Sequence, residues 1–215
     1  MRMKLKSPRF KFKKIDFKKY LNYKTFFIFL IFFFIVAFIY GIISFTTLND
    51  GDKAAALLKV KNYFTIPNSY DYFKLFKSDI LSNTFNVFIM WILGISAIGL
   101  IVLLFLFFSE GFSVGFTISS IIYTFKYKGI GLSLVYLIPV KILYILIMFL
   151  ITFFACKFSY KLIMQIFFKK EMDLNEVYKR YFKIFILSFI FIILYSFLNI
   201  FLSPFLIKTF TFLTK

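Results

Sequence analysis

The sequence has no histidine and one cysteine, Cys156, among its 215 residues. Disulfides within the chain are therefore excluded, as are metal sites built from histidine or cysteine and mechanisms that need a histidine. Cys156 ends an apolar run, and we interpret it as a small buried side chain, because free cysteine usually packs in apolar surroundings. We predict no bound metal.

Acidic residues are also scarce, with nine against 27 lysines and arginines. Most of them fall in residues 46–79 and 171–176, and no pair of carboxylates for acid–base catalysis is evident. The sequence also lacks a glycine-rich phosphate loop. We therefore predict that the chain is not an enzyme and that it binds no cofactor.

Apolar residues, by contrast, are abundant. They make up 61% of the chain, and the mean hydropathy is +0.88. Soluble domains are nearer to half apolar. The composition therefore predicts an integral membrane protein.

The net charge of +18 is concentrated beside the apolar runs. Residues 1–24 hold ten basic residues and one acid, a net +9, and residues 157–183 hold seven and three, a net +4. Residues 46–79 hold five and four, a net +1. Basic segments that flank apolar spans are typical of the cytoplasmic side and of contact with anionic lipid. We expect anionic lipid as a partner and no nucleic acid.

Five apolar regions predict an all-α, polytopic membrane helix bundle with about five transmembrane helices, since a span needs about 20 residues. The third region has only 14 residues, which leaves its boundary with the second region open. The regions are Thr25–Phe45, Ile80–Phe108, Phe112–Phe125, Gly129–Cys156 and Ile184–Ile207.

The basic segments set the expected orientation, with the N-terminus in the cytoplasm and the C-terminus outside. If residues 112–138 formed a re-entrant hairpin instead, the basic residues at 157–183 would lie outside, against this rule. The predicted organisation is a basic cytoplasmic arm (1–24), a transmembrane domain (25–207) with an outer loop (46–79) and a cytoplasmic segment (157–183), and a short tail (208–215).

Two segments outside the spans carry interaction hypotheses. The arm is either a short helix in the inner headgroup layer or a basic tail that only enforces topology. In the outer loop, the aromatic residues from position 72 onward repeat at helical spacing and lead into the second span. They either dock an extracytoplasmic partner or lie on lipid headgroups; the docking candidates are Tyr72, Phe73 and Phe76.

Small residues recur inside the apolar regions. Gly111, Gly115 and Ser119 are four residues apart, a spacing that lets two membrane helices approach closely. Gly94 and Gly99 precede them. We expect this stripe to pack helices within the chain, with a homo-oligomer interface as the alternative.

Glu110 and Lys141 are the charged side chains expected within the membrane, where charge is costly and marks a candidate site. They pair with each other, or Glu110 lies in water at a helix start on the inner boundary. Pro139 and Pro204 interrupt the fourth and fifth regions and are further packing candidates.

The stretch from Phe88 to Ile122 strongly resembles the stage II sporulation protein M family. The resemblance rests on Met90 to Ser96, on Ile98-Gly99-Leu100, on Gly111 and on Val114 to Thr117. It extends to Leu137-Ile138-Pro139 and to the Leu-Ser-Pro element within Phe201 to Leu206. The chain departs from the family pattern at Lys141, where a small amide is expected, and at Asn199, where relatives tend to carry an acid.

The resemblance implies a multi-pass protein of the mother-cell septal and engulfing membrane during sporulation. Relatives form a complex with stage II sporulation protein D, a lytic transglycosylase, and stage II sporulation protein P, an amidase and endopeptidase. The expected function is a non-enzymatic scaffold that positions these peptidoglycan hydrolases. The alternatives are a small transporter that uses Glu110 and Lys141, and a membrane organiser without a hydrolase partner.

Overall fold

The structure, a computed structural model, describes residues 23–64, 72–96, 98–136, 141–168 and 174–213. These residues form helices and short connections, with no strand among them, which confirms the predicted all-α membrane fold. The helices are α1 (Tyr23–Thr46), α2 (Asp50–Phe64), α3 (Tyr72–Gly94), α4 (Gly99–Phe125), α5 (Tyr127–Tyr136), α6 (Ile142–Phe168) and α7 (Leu174–Leu213).

Helices α1 and α4 lie side by side and run in the same direction. Phe34 of α1 packs against Phe107 of α4 with ring centroids 5.7 Å apart, and Phe45, eleven residues later, packs against Phe116 at 5.4 Å. Because two parallel helices begin at the same side of the membrane, the chain between them must cross back. Helix α3 is the element that makes this crossing.

Helix α2 lies on the outer end of the bundle under the predicted orientation. The ammonium group of Lys53 is 5.1 Å from the ring centre of Tyr123 and 5.8 Å from that of Phe45. Val60 packs against the small apolar cluster of Ile121 and Leu132. Asp50 and Asp52 lie in the first turn of this helix, where their charges complement the helix dipole.

Within the described residues, four helices are long and apolar enough to cross a membrane: Lys24–Thr46, Gly99–Phe125, Ile142–Ile166 and Asn175–Leu202. Helix α3 has 23 residues, so its length of about 35 Å also suffices. It is less apolar because it carries Asp79, Asn83 and Asn86. With α3, the described helices make five crossings in alternating directions.

The boundary between the second and third regions, which the sequence left open, lies before Gly99 and not at residues 109–111. Helix α4 runs without a break from Gly99 to Phe125, so Ser109, Glu110 and Gly111 lie within one helix. The chain instead bends before Gly99, where the Ile95 and Ser96 amides donate to Ile92 and Leu93 carbonyls. The polar triplet does not end the helix, because its backbone groups stay in the helical hydrogen-bond ladder.

The fourth and fifth regions also have other boundaries than expected. The fourth region is divided between the short α5 and the long α6, and residues 137–140 between them, with Pro139, lie outside the described residues. Helix α7 has 40 residues, begins ten residues before the predicted Ile184, and continues through Pro204. Much of the predicted segment 157–183 therefore consists of the ends of α6 and α7.

The main core lies where α3, α4, α6 and α7 meet. Its fully buried members are apolar, and phenylalanines of α1 complete it from one side. The outer faces of the long helices expose large apolar side chains, as expected of surfaces that contact lipid. Members of the core include Val87, Met90, Leu103, Phe107, Ile147, Met148, Ile151 and Ile192.

Impermeant thiol labelling checks the crossings and the orientation. In a Cys156→Ser background, Asp52→Cys on α2 is expected to react in intact cells, and Lys179→Cys on α7 only after permeabilisation. Both positions are exposed, and three crossings separate them. Reaction of both on the same side would contradict the crossing by α3, and the reverse pattern would invert the orientation.

Candidate functional site

A polar cluster lies inside the bundle and starts on α3. Asp79, Asn83 and Asn86 are four and three residues apart, a spacing that places them on one face of the helix. All three are partly buried, and they face α6 and α7. These polar groups therefore have protein neighbours inside the bundle.

The outer part of the cluster joins α3 to α7. Asn83 donates hydrogen bonds from its amide nitrogen to Asp79 Oδ2 at 2.9 Å and to the Ser196 hydroxyl at 3.4 Å. The amide of Asn199 donates to Asp79 Oδ1 at 3.1 Å. Both carboxylate oxygens of Asp79 thus accept a hydrogen bond. At position 199, where the resemblance implies an acid, this chain places an amide against an acid of another helix.

The inner part of the cluster joins α3, α4 and α6. The Tyr144 hydroxyl donates to Glu110 Oε1 at 3.2 Å, and the Asn86 amide lies 3.5 Å from that hydroxyl. The Lys141 ammonium group lies 4.8 Å from the ring centre of Tyr144, within cation–π range. Lys141 also interacts electrostatically with Glu110 and Asp79. The structure therefore brings the two predicted charges together, with Tyr144 between them.

Glu110 lies near the middle of α4, so of its two predicted alternatives the structure favours the position beside Lys141 over the inner boundary. It follows Gly99 by eleven residues and precedes Phe125 by fifteen, about 17 and 23 Å along the axis. Its neighbour Gly111 contacts Ala37, near the middle of the span of α1. A charge at this depth is costly unless it is paired, and the cluster provides its partners.

A second set of polar contacts lies where α3 ends. The Ser159 hydroxyl of α6 donates to the Gly94 carbonyl at 2.5 Å and to the Ser96 carbonyl at 3.2 Å. The Tyr181 hydroxyl of α7 donates to the Trp91 carbonyl at 2.8 Å. Carbonyl groups at the end of a helix lack partners in their own helix, so these side chains satisfy them.

The predicted glycines occupy the closest helix contacts. A Cβ atom on Gly111 would lie 2.9 Å from that of Ala37, and one on Gly115 would collide with the Phe38 carbonyl oxygen. Gly41 of α1 faces Phe112 in the same way. The stripe therefore packs α4 on α1 within one chain. Ser119 lies instead beside Phe45, Thr46 and Lys53 at the outer end.

The other glycines and the remaining candidates lie elsewhere. Gly94 packs against Tyr181 and Ala155, and Gly99 against the backbone of Leu93 in the bend. Phe73 is 77% exposed, whereas Phe76 packs on Phe197 of α7 with ring centroids 6.5 Å apart. Tyr72 and Pro204 lie in helices, but their side chains are outside the description, as is Pro139 and most of the arm.

Several residues of the site escaped the sequence analysis. The signal for Asp79, Asn83 and Asn86 was present, because polar residues at helical spacing in an apolar helix indicate an interior face. No comparable pattern indicates Tyr144 or Ser159, since single hydroxyls are common in membrane helices. For Gly41 a signal was present and was overlooked, because Ala37 lies four residues before it and the two form a small-residue pair on α1.

The fold and these contacts define a polytopic helical membrane protein whose bundle is held by buried polar groups and close glycine contacts. Residues 28–204, more than half of the chain, match the model of the family described as stage II sporulation protein M. The chain belongs to this family and is thus a sporulation membrane protein. No curated protein and no solved structure matches the chain.

The α1–α4 contact generates a stability prediction. Gly115→Ala is expected to lower the free energy of unfolding by about 1–3 kcal/mol. The added methyl group would collide with the backbone of Phe38, and the two helices would have to move apart to make room for it. Unfolding in detergent with increasing dodecyl sulfate measures it. Gly51→Ala is the matched control, since nothing lies within 4 Å of its Cβ position. Equal stability of Gly115→Ala and the wild type would show that α1 and α4 lie farther apart than in this structure.

Proposed function

We propose that the protein is a membrane scaffold of the sporulation engulfment complex, located in the mother-cell septal and engulfing membrane. Its role is to position peptidoglycan hydrolases, the stage II sporulation proteins D and P, during septal wall thinning and membrane migration. The observation that carries the proposal is the family match across residues 28–204, which covers most of each crossing helix that the structure describes.

The arrangement of polar groups agrees with a scaffold. Within the described residues, the carboxylates of Asp79 and Glu110 accept hydrogen bonds from side chains of other helices. Such contacts between helices fix their relative positions, each at a net gain of about 0.6 kcal/mol on average. A bundle fixed in this way presents its outer surface in a constant orientation.

The outer surface offers apolar anchors for a partner. Leu58 on α2 is 60% exposed, and Phe73 at the start of α3 is 77% exposed. Both lie on the wall-facing side under the predicted orientation. Helix α2 is held on the bundle by Lys53 and Val60, so a partner bound there is fixed relative to the membrane.

Co-purification from membranes with the two hydrolases tests the scaffold. Leu58→Ser with Phe73→Ser is expected to reduce the recovered hydrolase at least tenfold, because exposed apolar anchors dominate most protein interfaces. Phe105→Ser with Ile101→Ser is the matched control, since these side chains are equally exposed, at 68% and 72%, but face lipid. Unchanged recovery in the first variant would remove α2 and Phe73 from the docking surface, and no recovery with the wild type would refute the scaffold.

The second candidate is a small transporter, favoured by the grouping of Asp79, Glu110 and Lys141 deep in the bundle. Proton or cation flux into liposomes that contain the purified protein distinguishes the two. For a scaffold, wild type and Glu110→Gln give the flux of empty liposomes, and Glu110→Gln only lowers stability. Flux that Glu110→Gln abolishes, while the surface variant Glu176→Gln retains it, would establish transport.

A further inference from the structure

A basic cleft lies between α6 and α7. It has a volume of about 320 Å³, and four cationic side chains line it together with aromatic and aliphatic ones. Lys157 and Lys161 come from α6, one turn apart, and Arg180 and Lys183 come from α7. The apolar lining consists of Phe154, Phe158, Val177, Tyr181 and Ile184.

The walls of the cleft are held in place by the bundle. The rings of Phe158 and Tyr181 stack with centroids 4.5 Å apart and an interplanar angle of 12°. Tyr181 is also fixed by its hydrogen bond to the Trp91 carbonyl. Because both residues are buried, the cleft is a preformed feature of the fold. The lysines of the cleft surround these two fixed aromatic side chains.

The cleft lies at the level of one membrane surface. Its residue Phe154 adjoins Ala155, which contacts Gly94 at the end of α3, next to the start of α4. Lys141 lies near mid-depth beside Glu110, and Lys157 follows it by sixteen residues, about 24 Å along the helix. Under the predicted orientation this surface is the cytoplasmic one.

The lining has cationic side chains that suit the phosphate of an anionic phospholipid and apolar side chains that suit its acyl chains. Four cations in one small cleft attract a phosphate group, and basic pockets between transmembrane helices on the cytoplasmic side bind anionic lipid headgroups. Beside the cleft, Tyr178 and Phe182 are exposed at 43% and 41% and offer a surface for acyl chains. The carboxylate of Glu176 lies 3.1 Å from Arg180 on the exposed side, which leaves the three lysines as the dominant charge.

We propose that this cleft is a binding site for the headgroup of an anionic phospholipid of the inner leaflet. The lysines and Arg180 contact the phosphate, and the aromatic side chains of α6 and α7 contact the first part of the acyl chains. The lipid thereby joins the ends of α6 and α7 where they approach the cytoplasm.

Native mass spectrometry of the full chain in mild detergent, with added phosphatidylglycerol, tests the site. Lys161→Gln is expected to weaken binding about fivefold, and Lys157→Gln, Lys161→Gln and Lys183→Gln together on the order of a hundredfold, from the contribution of each basic residue near an anionic headgroup. The control combines Lys59→Gln, Lys61→Gln and Lys179→Gln, which removes the same charge from exposed positions outside the cleft. It is expected to bind within about twofold of the wild type.

Three results would overturn the proposal. They are equal losses in the two triple variants, equal affinity of the wild type for phosphatidylcholine, and displacement of the lipid by millimolar inorganic phosphate. The last result would assign the cleft to a free anion. Arginine at the same three positions is expected to retain binding. If the glutamine triple variant does not fold, the lipid affinities of the single variants Lys161→Gln and Lys179→Gln are compared instead, and equal affinities would overturn the proposal.

Discussion

The close contact between α1 and α4 determines much of the remaining structure. Glycines at Gly41, Gly111 and Gly115 let the two backbones touch, and the two helices run in the same direction. The chain between them must therefore return through the membrane as α3. Because α3 carries an acid and two amides, its polar face must point into the bundle, and the polar cluster follows from that need.

The cluster also shows how a membrane protein retains charge without leaving it unpaired. Asp79 accepts hydrogen bonds from two amides, and Glu110 accepts one from a phenol that also lies beneath a lysine. Each contact links different helices or successive turns of one helix. A mutation that removes one partner leaves another group unsatisfied in a medium that cannot hydrate it, so the energies of these residues are interdependent.

The sequence predicts the class of fold and the first span, because these depend on composition summed over long stretches. It leaves the boundaries of α4 open, since Ser109-Glu110-Gly111 is polar in the sequence, whereas in the fold Glu110 accepts a hydrogen bond from Tyr144 of α6 and Gly111 packs against α1. It also places the end of the fourth region too early. For the site, the pairing of Glu110 with Lys141 was one of two open readings, but Tyr144 between them depends on the helix register that only the fold provides.

Helix α7 adds a mechanical property to the bundle. Its 40 residues extend about 60 Å, twice the thickness of the hydrocarbon core, so one rod reaches past both membrane surfaces. A tilt of about 5° around mid-membrane displaces each end of a rod of this length by about 2–3 Å, in opposite directions. A displacement of one end of this helix is therefore accompanied by an opposite displacement of the other end.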